Sequence, residues 1–168
     1  DLVRFGADHG VIPRFIEFMP MGHDTHWEHA DDNGFVSAQA IRDDLRTRWE
    51  VEPDGTSYGA GPAKYWRLRG EGLPDEGHPV GVIGAVTECF CADCNRMRLT
   101  STGGLRACLA DDREISVRAP LRTLTGDDER RAAIRSRIRQ SLGGKKERHD
   151  FALEGDGVTD KPMTAIGG

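Results

Sequence analysis

The tightest constraint on this chain is the placement of three cysteines. Cys91, Cys94 and Cys108 lie in the run Phe90-Cys91-Ala92-Asp93-Cys94-Asn95-Arg96-Met97-Arg98-Leu99-Thr100 and its continuation Gly104-Leu105-Arg106-Ala107-Cys108-Leu109. A pair two residues apart, followed by a third thiolate beyond a short hairpin, converges on one centre. Thiolates are soft ligands suited to iron-sulfur clusters or to zinc. On a four-iron cubane, three protein thiolates would leave one iron able to take a ligand from outside, much as catalytic zinc sites keep a position open. By spacing alone a structural zinc site stands equally open, with Cys89 or a histidine as the fourth ligand.

The residues beside the thiolates weigh against a closed zinc knuckle. Asn95, Arg96 and Arg98 follow the second cysteine directly, and a purely structural site has no use for two guanidinium groups there. They offer forks for a phosphate or a polar base edge. The plainer reading is exposed cations at the rim of a hairpin. His23, His26 and His29 lie three apart in a stretch full of Asp and Glu, where solvated histidines are the expectation and nothing supplies the partners a metal site needs.

The chain has 168 residues, enough for a globular domain but short of a full enzyme barrel of roughly 250. A net charge of −5 argues against a nucleic-acid binder, which carries a basic face. No apolar run of about 18 residues predicts a membrane span. The cysteine usage suits a reducing compartment, so a cytoplasmic protein is expected.

Periodicity predicts an α/β chain. Asp1 to Phe5 reads as the end of a helix closed by Gly10. Arg14-Phe15-Ile16-Glu17-Phe18-Met19-Pro20 alternates as a strand ended by Pro20 and Gly22, and residues 22 to 34 read as an exposed loop. Ser37 is placed to cap a helix to about Trp49, with Ile41, Leu45 and Trp49 on one face. A long Gly-rich connection is expected next. Strands are predicted at Tyr65 to Arg69 and Val80 to Val86, pairing as a hairpin. A second hairpin is predicted with Met97 to Thr100 and Leu105 to Leu109 flanking residues 101 to 104. The last predicted helix, from about Gly126 to Leu142, starts with acids, ends at Gly143-Gly144 and carries a narrow stripe of Ile134, Ile138 and Leu142.

With these motifs in order, the chain resembles the GTP 3′,8-cyclase family of molybdenum cofactor biosynthesis. The run Phe90-Cys91-x-x-Cys94-Asn95-Arg96-x-Arg98-Leu99-Thr100 with Cys108-Leu109 is similar to the family's carboxy-terminal cluster motif. Arg14 to Gly22 resembles its last barrel strand, Gly61-Pro62-Ala63-Lys64-Tyr65 its following segment, and Gly167-Gly168 its double-glycine tail. The resemblance spans the chain from end to end.

The resemblance implies the carboxy-terminal portion of an incomplete radical-SAM TIM-type barrel, residues 1–22, followed by a cluster-binding region with short hairpins and helices, residues 23–168. It implies that Cys91, Cys94 and Cys108 ligate a substrate-binding 4Fe-4S cluster, and that Arg96, Met97 and Arg98 contact GTP. Met19 would touch S-adenosylmethionine, Arg14 would face the substrate, and the tail ending in Gly167 and Gly168 would reach back into the active site. It implies a lyase that converts GTP to 3′,8-cyclo-7,8-dihydro-GTP for a downstream cyclic pyranopterin monophosphate synthase, and it is compatible with a homodimer. The family's second 4Fe-4S cluster needs a Cys-x-x-x-Cys-x-x-Cys motif that is not in this sequence. The chain therefore reads as a carboxy-terminal fragment, inactive in isolation. Another radical-SAM enzyme with an auxiliary cluster, or a zinc-stabilised binding module, is the alternative.

Overall fold

A computed structural model describes residues 1–22, 34–149, 151, 159–161 and 166. These residues form two compact units, one within Asp1–Met19 and Asp31–Phe90, the other within Pro20–Ala30 and Cys91–Gly168. The architecture is mixed α/β.

The first unit contains α1 (Leu2–His9), β1 (Arg14–Ile16), α2 (Ala38–Arg46), β2 (Glu50–Pro53), β3 (Lys64–Arg69) and β4 (His78–Ile83). Gly10, at φ 65°, ends α1 in the left-handed conformation that glycine adopts without a Cβ penalty. The Ser37 hydroxyl accepts the Ala40 N–H at 3.1 Å and starts α2.

The four strands run in the order β1-β4-β3-β2, with β1 parallel to β4 and the other pairs antiparallel. The hairpin expected between Tyr65–Arg69 and Val80–Val86 is present. The Gly-rich connection expected after α2 instead begins with β2, an edge strand in which Glu52 opposes Arg67 and Pro53 opposes Trp66. Its missing N–H is tolerated at an edge. Val3, Leu45, Trp49, Leu68 and Val80 form the core, with Phe15, Ile41, Val51, Trp66 and Leu73 packed against it. Each such apolar side chain contributes about 1.5–3 kcal/mol by leaving water. The face predicted for Ile41, Leu45 and Trp49 is thus the one that α2 and the residues after it bury.

Glu17, directly after β1, is only 1 % exposed. Its Oε1 accepts the Ala38 N–H at 2.6 Å and the Thr87 hydroxyl, and its Oε2 accepts the N–H groups of Val86 at 2.7 Å and Thr87 at 2.8 Å. One carboxylate therefore joins the end of β1, the first turn of α2 and the turn after β4. Burial pushes its carboxyl up, but the hydrogen bonds from Thr87, Ala38 and Val86 outweigh this and hold it below the usual range.

The second unit opens with a 3₁₀ turn at Cys91–Asp93 and continues with β5 (Arg98–Leu99), β6 (Gly104–Arg106), β7 (Ile115–Ser116), α3 (Arg118–Thr123) and α4 (Asp127–Gly143). The strands pair antiparallel in the order β5-β6-β7, so the hairpin predicted after the cysteine pair is observed, shorter than expected. Its turn requires Gly103 at φ 83°, and a Cβ on Gly104 would stand 2.5 Å from the Glu114 carboxylate. Neither β7 nor α3 was visible in the periodicity. On α4 the buried position is Ser141, while Leu142 is 50 % exposed, so the predicted stripe ends one residue early.

Candidate metal and substrate site

The 3₁₀ turn sets the first two thiolates. The Cys94 N–H donates to the Cys91 carbonyl at 3.2 Å, which brings both side chains onto one tight turn. Cys108 follows β6 by two residues, where the hairpin returns the chain. All three are free thiols, half-buried rather than sealed in a core. A ring nitrogen of His149 lies within 4.8 Å of the Cys91 sulfur. Two thiols on one turn and a third just after the hairpin are soft sulfur donors of the kind that hold an iron-sulfur cluster or zinc.

The electrostatics favour a thiolate at Cys94. Burial acts to raise this thiol, but the Arg96 backbone N–H, the Lys145 ammonium and the Arg96 guanidinium act against it, and the thiol is held below its ordinary value. The exposed Arg96 thus also serves the sulfur beside it. Met97 and Arg98 are half-buried. Arg98 on β5 is directly opposite Arg106 on β6. Like charges in that position repel. Arg106, fully buried, is compensated by Asp112 at 3.0 Å and Glu114 at 3.6 Å, and it donates to the Asp111 carbonyl at 2.6 Å. It is a buried cation that ties down the segment after Cys108. Sequence reasoning read Arg106 as part of a motif and missed this role. The only available signal was the Asp111-Asp112 pair with Glu114 close behind.

Part of the tail rests on the same segment. The Asp160 N–H donates to Asp112 at 3.0 Å, Lys161 pairs with Glu114 at 2.8 Å, and Ile166 is fully buried. Gly167 and Gly168 lie outside the described residues, as do His23, His26 and His29.

In the first unit, Arg14 is exposed on β1; it donates to the Tyr58 carbonyl at 3.0 Å, and its guanidinium stands 5.7 Å from the centroid of the Tyr65 ring. Met19 is half-buried. Among the described residues no helix is long and apolar enough to cross a membrane.

Residues 12–151 match the family model Molybdenum Cofactor Synthesis C, a match that includes the cysteine turn, the hairpin and β1 to β4. The chain belongs to this family. Within the Molybdenum Cofactor Synthesis C family it is similar to proteins named GTP 3′,8-cyclase. The Rhodopirellula baltica protein is 37% identical over 168 residues, 99% of this chain and 44% of that protein. The Streptomyces coelicolor protein is 37% identical over 169 residues, 100% of this chain and 46% of its own length. The Corynebacterium glutamicum protein is 36% identical over 167 residues, 99% of this chain and 42% of its own length. The chain spans less than half the length of the curated relatives it matches. These likenesses support a role in molybdenum cofactor biosynthesis.

Proposed function

We propose that this chain is the carboxy-terminal part of a GTP 3′,8-cyclase, and that it holds GTP beside a 4Fe-4S cluster ligated by Cys91, Cys94 and Cys108. Residues 1–22 then end a radical-SAM barrel and residues 23–168 form the cluster region. The observation that carries the reading is three free, half-buried thiols on one turn and one hairpin, with Arg96 and Arg98 between them. The relatives' name and the end-to-end likeness agree with it.

When bound, the cluster supplies an iron with an open position for a base nitrogen or oxygen, while S-adenosylmethionine and the second cluster supply the radical. The chain's own residues bind and orient. Arg96 and Arg98 present guanidinium forks to a triphosphate or a base edge, which limits the poses the nucleotide can take. That restriction matters because a radical must meet one particular hydrogen of the ribose, and orientation of this kind can be worth about 7–11 kcal/mol of barrier. Arg14 adds a cation for the substrate, Met19 contacts S-adenosylmethionine, and Gly167 and Gly168 complete the active site from the tail. Cyclisation of GTP to 3′,8-cyclo-7,8-dihydro-GTP is the proposed outcome. It belongs to the longer protein, since the Cys-x-x-x-Cys-x-x-Cys motif is not in this sequence.

Anaerobic reconstitution with iron and sulfide, followed by metal analysis and absorption, tests the reading. Four irons per chain with a thiolate-to-iron absorption band, lost in Cys91→Ser, Cys94→Ser and Cys108→Ser, is the expected result. One stoichiometric zinc and no iron chromophore would sink it in favour of a zinc-stabilised module.

A further inference from the structure

Helix α4 ends at Gly143, and the residues that follow turn back onto the cysteine turn. A lysine just past a helix end ordinarily stays in water or bonds the helix's own last carbonyls. Lys145 does neither with its side chain. Its Nζ donates to the Cys94 carbonyl at 2.7 Å and the Arg96 carbonyl at 3.0 Å, and it reaches the Cys94 sulfur at 3.3 Å. An ammonium has three protons, and here each has a partner on the cysteine turn. Four residues on, the His149 backbone N–H points at the Cys91 sulfur, 3.4 Å away. The His149 ring is held in turn by the Phe151 N–H, which donates to Nδ1 at 3.2 Å. One short segment thus brings an N–H donor to each of the two thiolates that the turn presents.

We propose that Lys145 is a positioning residue for the sulfur site, fixing Cys94 and the backbone from 94 to 96 and, with the His149 N–H, setting the reduction potential of the group the thiolates hold. This rests on the cluster reading above. The physical reason is charge. Reduction adds an electron to a cluster whose ligands are already anionic, and hydrogen bonds or a cation at the sulfurs stabilise the more negative state. A donor at each of Cys91 and Cys94 therefore raises the potential, and the ammonium contributes more than the neutral N–H because it carries a full charge. The two carbonyl contacts do a separate job. They hold the turn so that Arg96 and Arg98 start from a fixed backbone.

The test compares the unsubstituted chain with Lys145→Arg, Lys145→Met and Lys145→Gln after anaerobic reconstitution, with folding checked by far-UV circular dichroism. Iron and sulfide content, potentiometric titration and iron loss to a chelator are measured. Lys145→Arg is expected to keep the potential. Lys145→Met is expected to load a cluster of lower potential and to hold iron about 10-fold less well, the usual scale for loss of a partner behind a metal ligand. Lys145→Gln, which keeps an N–H donor and loses the charge, is expected to fall between them, and it carries the comparison if Lys145→Met does not fold. A loaded cluster with unchanged potential in both neutral variants overturns the Lys145 assignment alone. Zinc uptake with no iron chromophore in the unsubstituted chain overturns both this inference and the cluster reading.

Discussion

Glu17 and Thr87, seventy residues apart, are joined twice, by the Thr87 N–H to Oε2 at 2.8 Å and by the Thr87 hydroxyl to Oε1. The same carboxylate takes the N–H groups of Ala38 and Val86. A buried carboxylate with four donors fixes three segments at once, and its removal leaves those donors without an acceptor.

Glu17→Gln is expected to destabilise the chain by about 2–4 kcal/mol, since an amide nitrogen would face N–H groups and hydrogen bonds to a charged acceptor are worth roughly 1.5–3 kcal/mol each. Urea denaturation followed by tryptophan fluorescence measures this. A loss within about 0.5 kcal/mol, the size of an ordinary surface change, would show that the network is not stabilising.

The same group makes stability depend on acid. Its folded carboxyl lies below the ordinary value, so its stabilisation is fully present above the unfolded value near about 4.3 and is lost as pH falls through the folded one. Between neutral pH and the unfolded value it contributes no slope. The unsubstituted chain is therefore expected to lose stability more steeply than Glu17→Gln below about pH 4. Parallel acid titrations of the two denaturation midpoints check the sign; equal slopes refute it.

Arg106→Met should cost about 3–5 kcal/mol, because it removes a fully buried cation and leaves Asp112 and Glu114 uncompensated. Iron retention should fall with it, as the segment after Cys108 loses its anchor at the Asp111 carbonyl. Thermal denaturation and iron analysis on the same sample read both effects, and normal iron retention in a destabilised variant would separate Arg106 from the metal site.

Arg96→Ala and Arg98→Ala are each expected to weaken GTP binding by about 10-fold or more, the scale of one charge-assisted hydrogen bond, with iron content near normal for Arg98→Ala. Arg96→Ala removes in addition a donor to the Cys94 thiolate, so a modest loss of iron is expected there. Equilibrium GTP binding and iron analysis in the longer protein distinguish the roles. Iron loss with intact GTP affinity in Arg98→Ala would reassign it.

Cys89→Ser is expected to leave iron content and GTP affinity unchanged, because Cys89 stands outside the Cys91, Cys94 and Cys108 pattern. Loss of iron in this variant would make Cys89 a ligand.

By itself the sequence determined the features whose cause is local. The Gly10 stop, the Ser37 cap, the buried face of Leu45 and Trp49, the β3–β4 and β5–β6 hairpins and the span of α4 all follow from spacing, capping or turn chemistry within a few residues. The cysteine pattern was likewise readable because its three members sit on one turn and just past one hairpin. What the tertiary structure decided depends on partners that local periodicity does not specify. β2 is charged and ends in Pro53, so it has no strand signature until β3 offers it an edge. β1 pairs parallel with β4 across about sixty intervening residues, which no local period encodes. Glu17, Arg106 and Lys145 look like ordinary charged residues in the sequence. Their roles arise only where folding brings a buried carboxylate to four donors, a buried guanidinium to two acids, and an ammonium to the Cys94 sulfur. What a charge does is defined by the groups it meets in space, whether these lie near it or far from it in sequence.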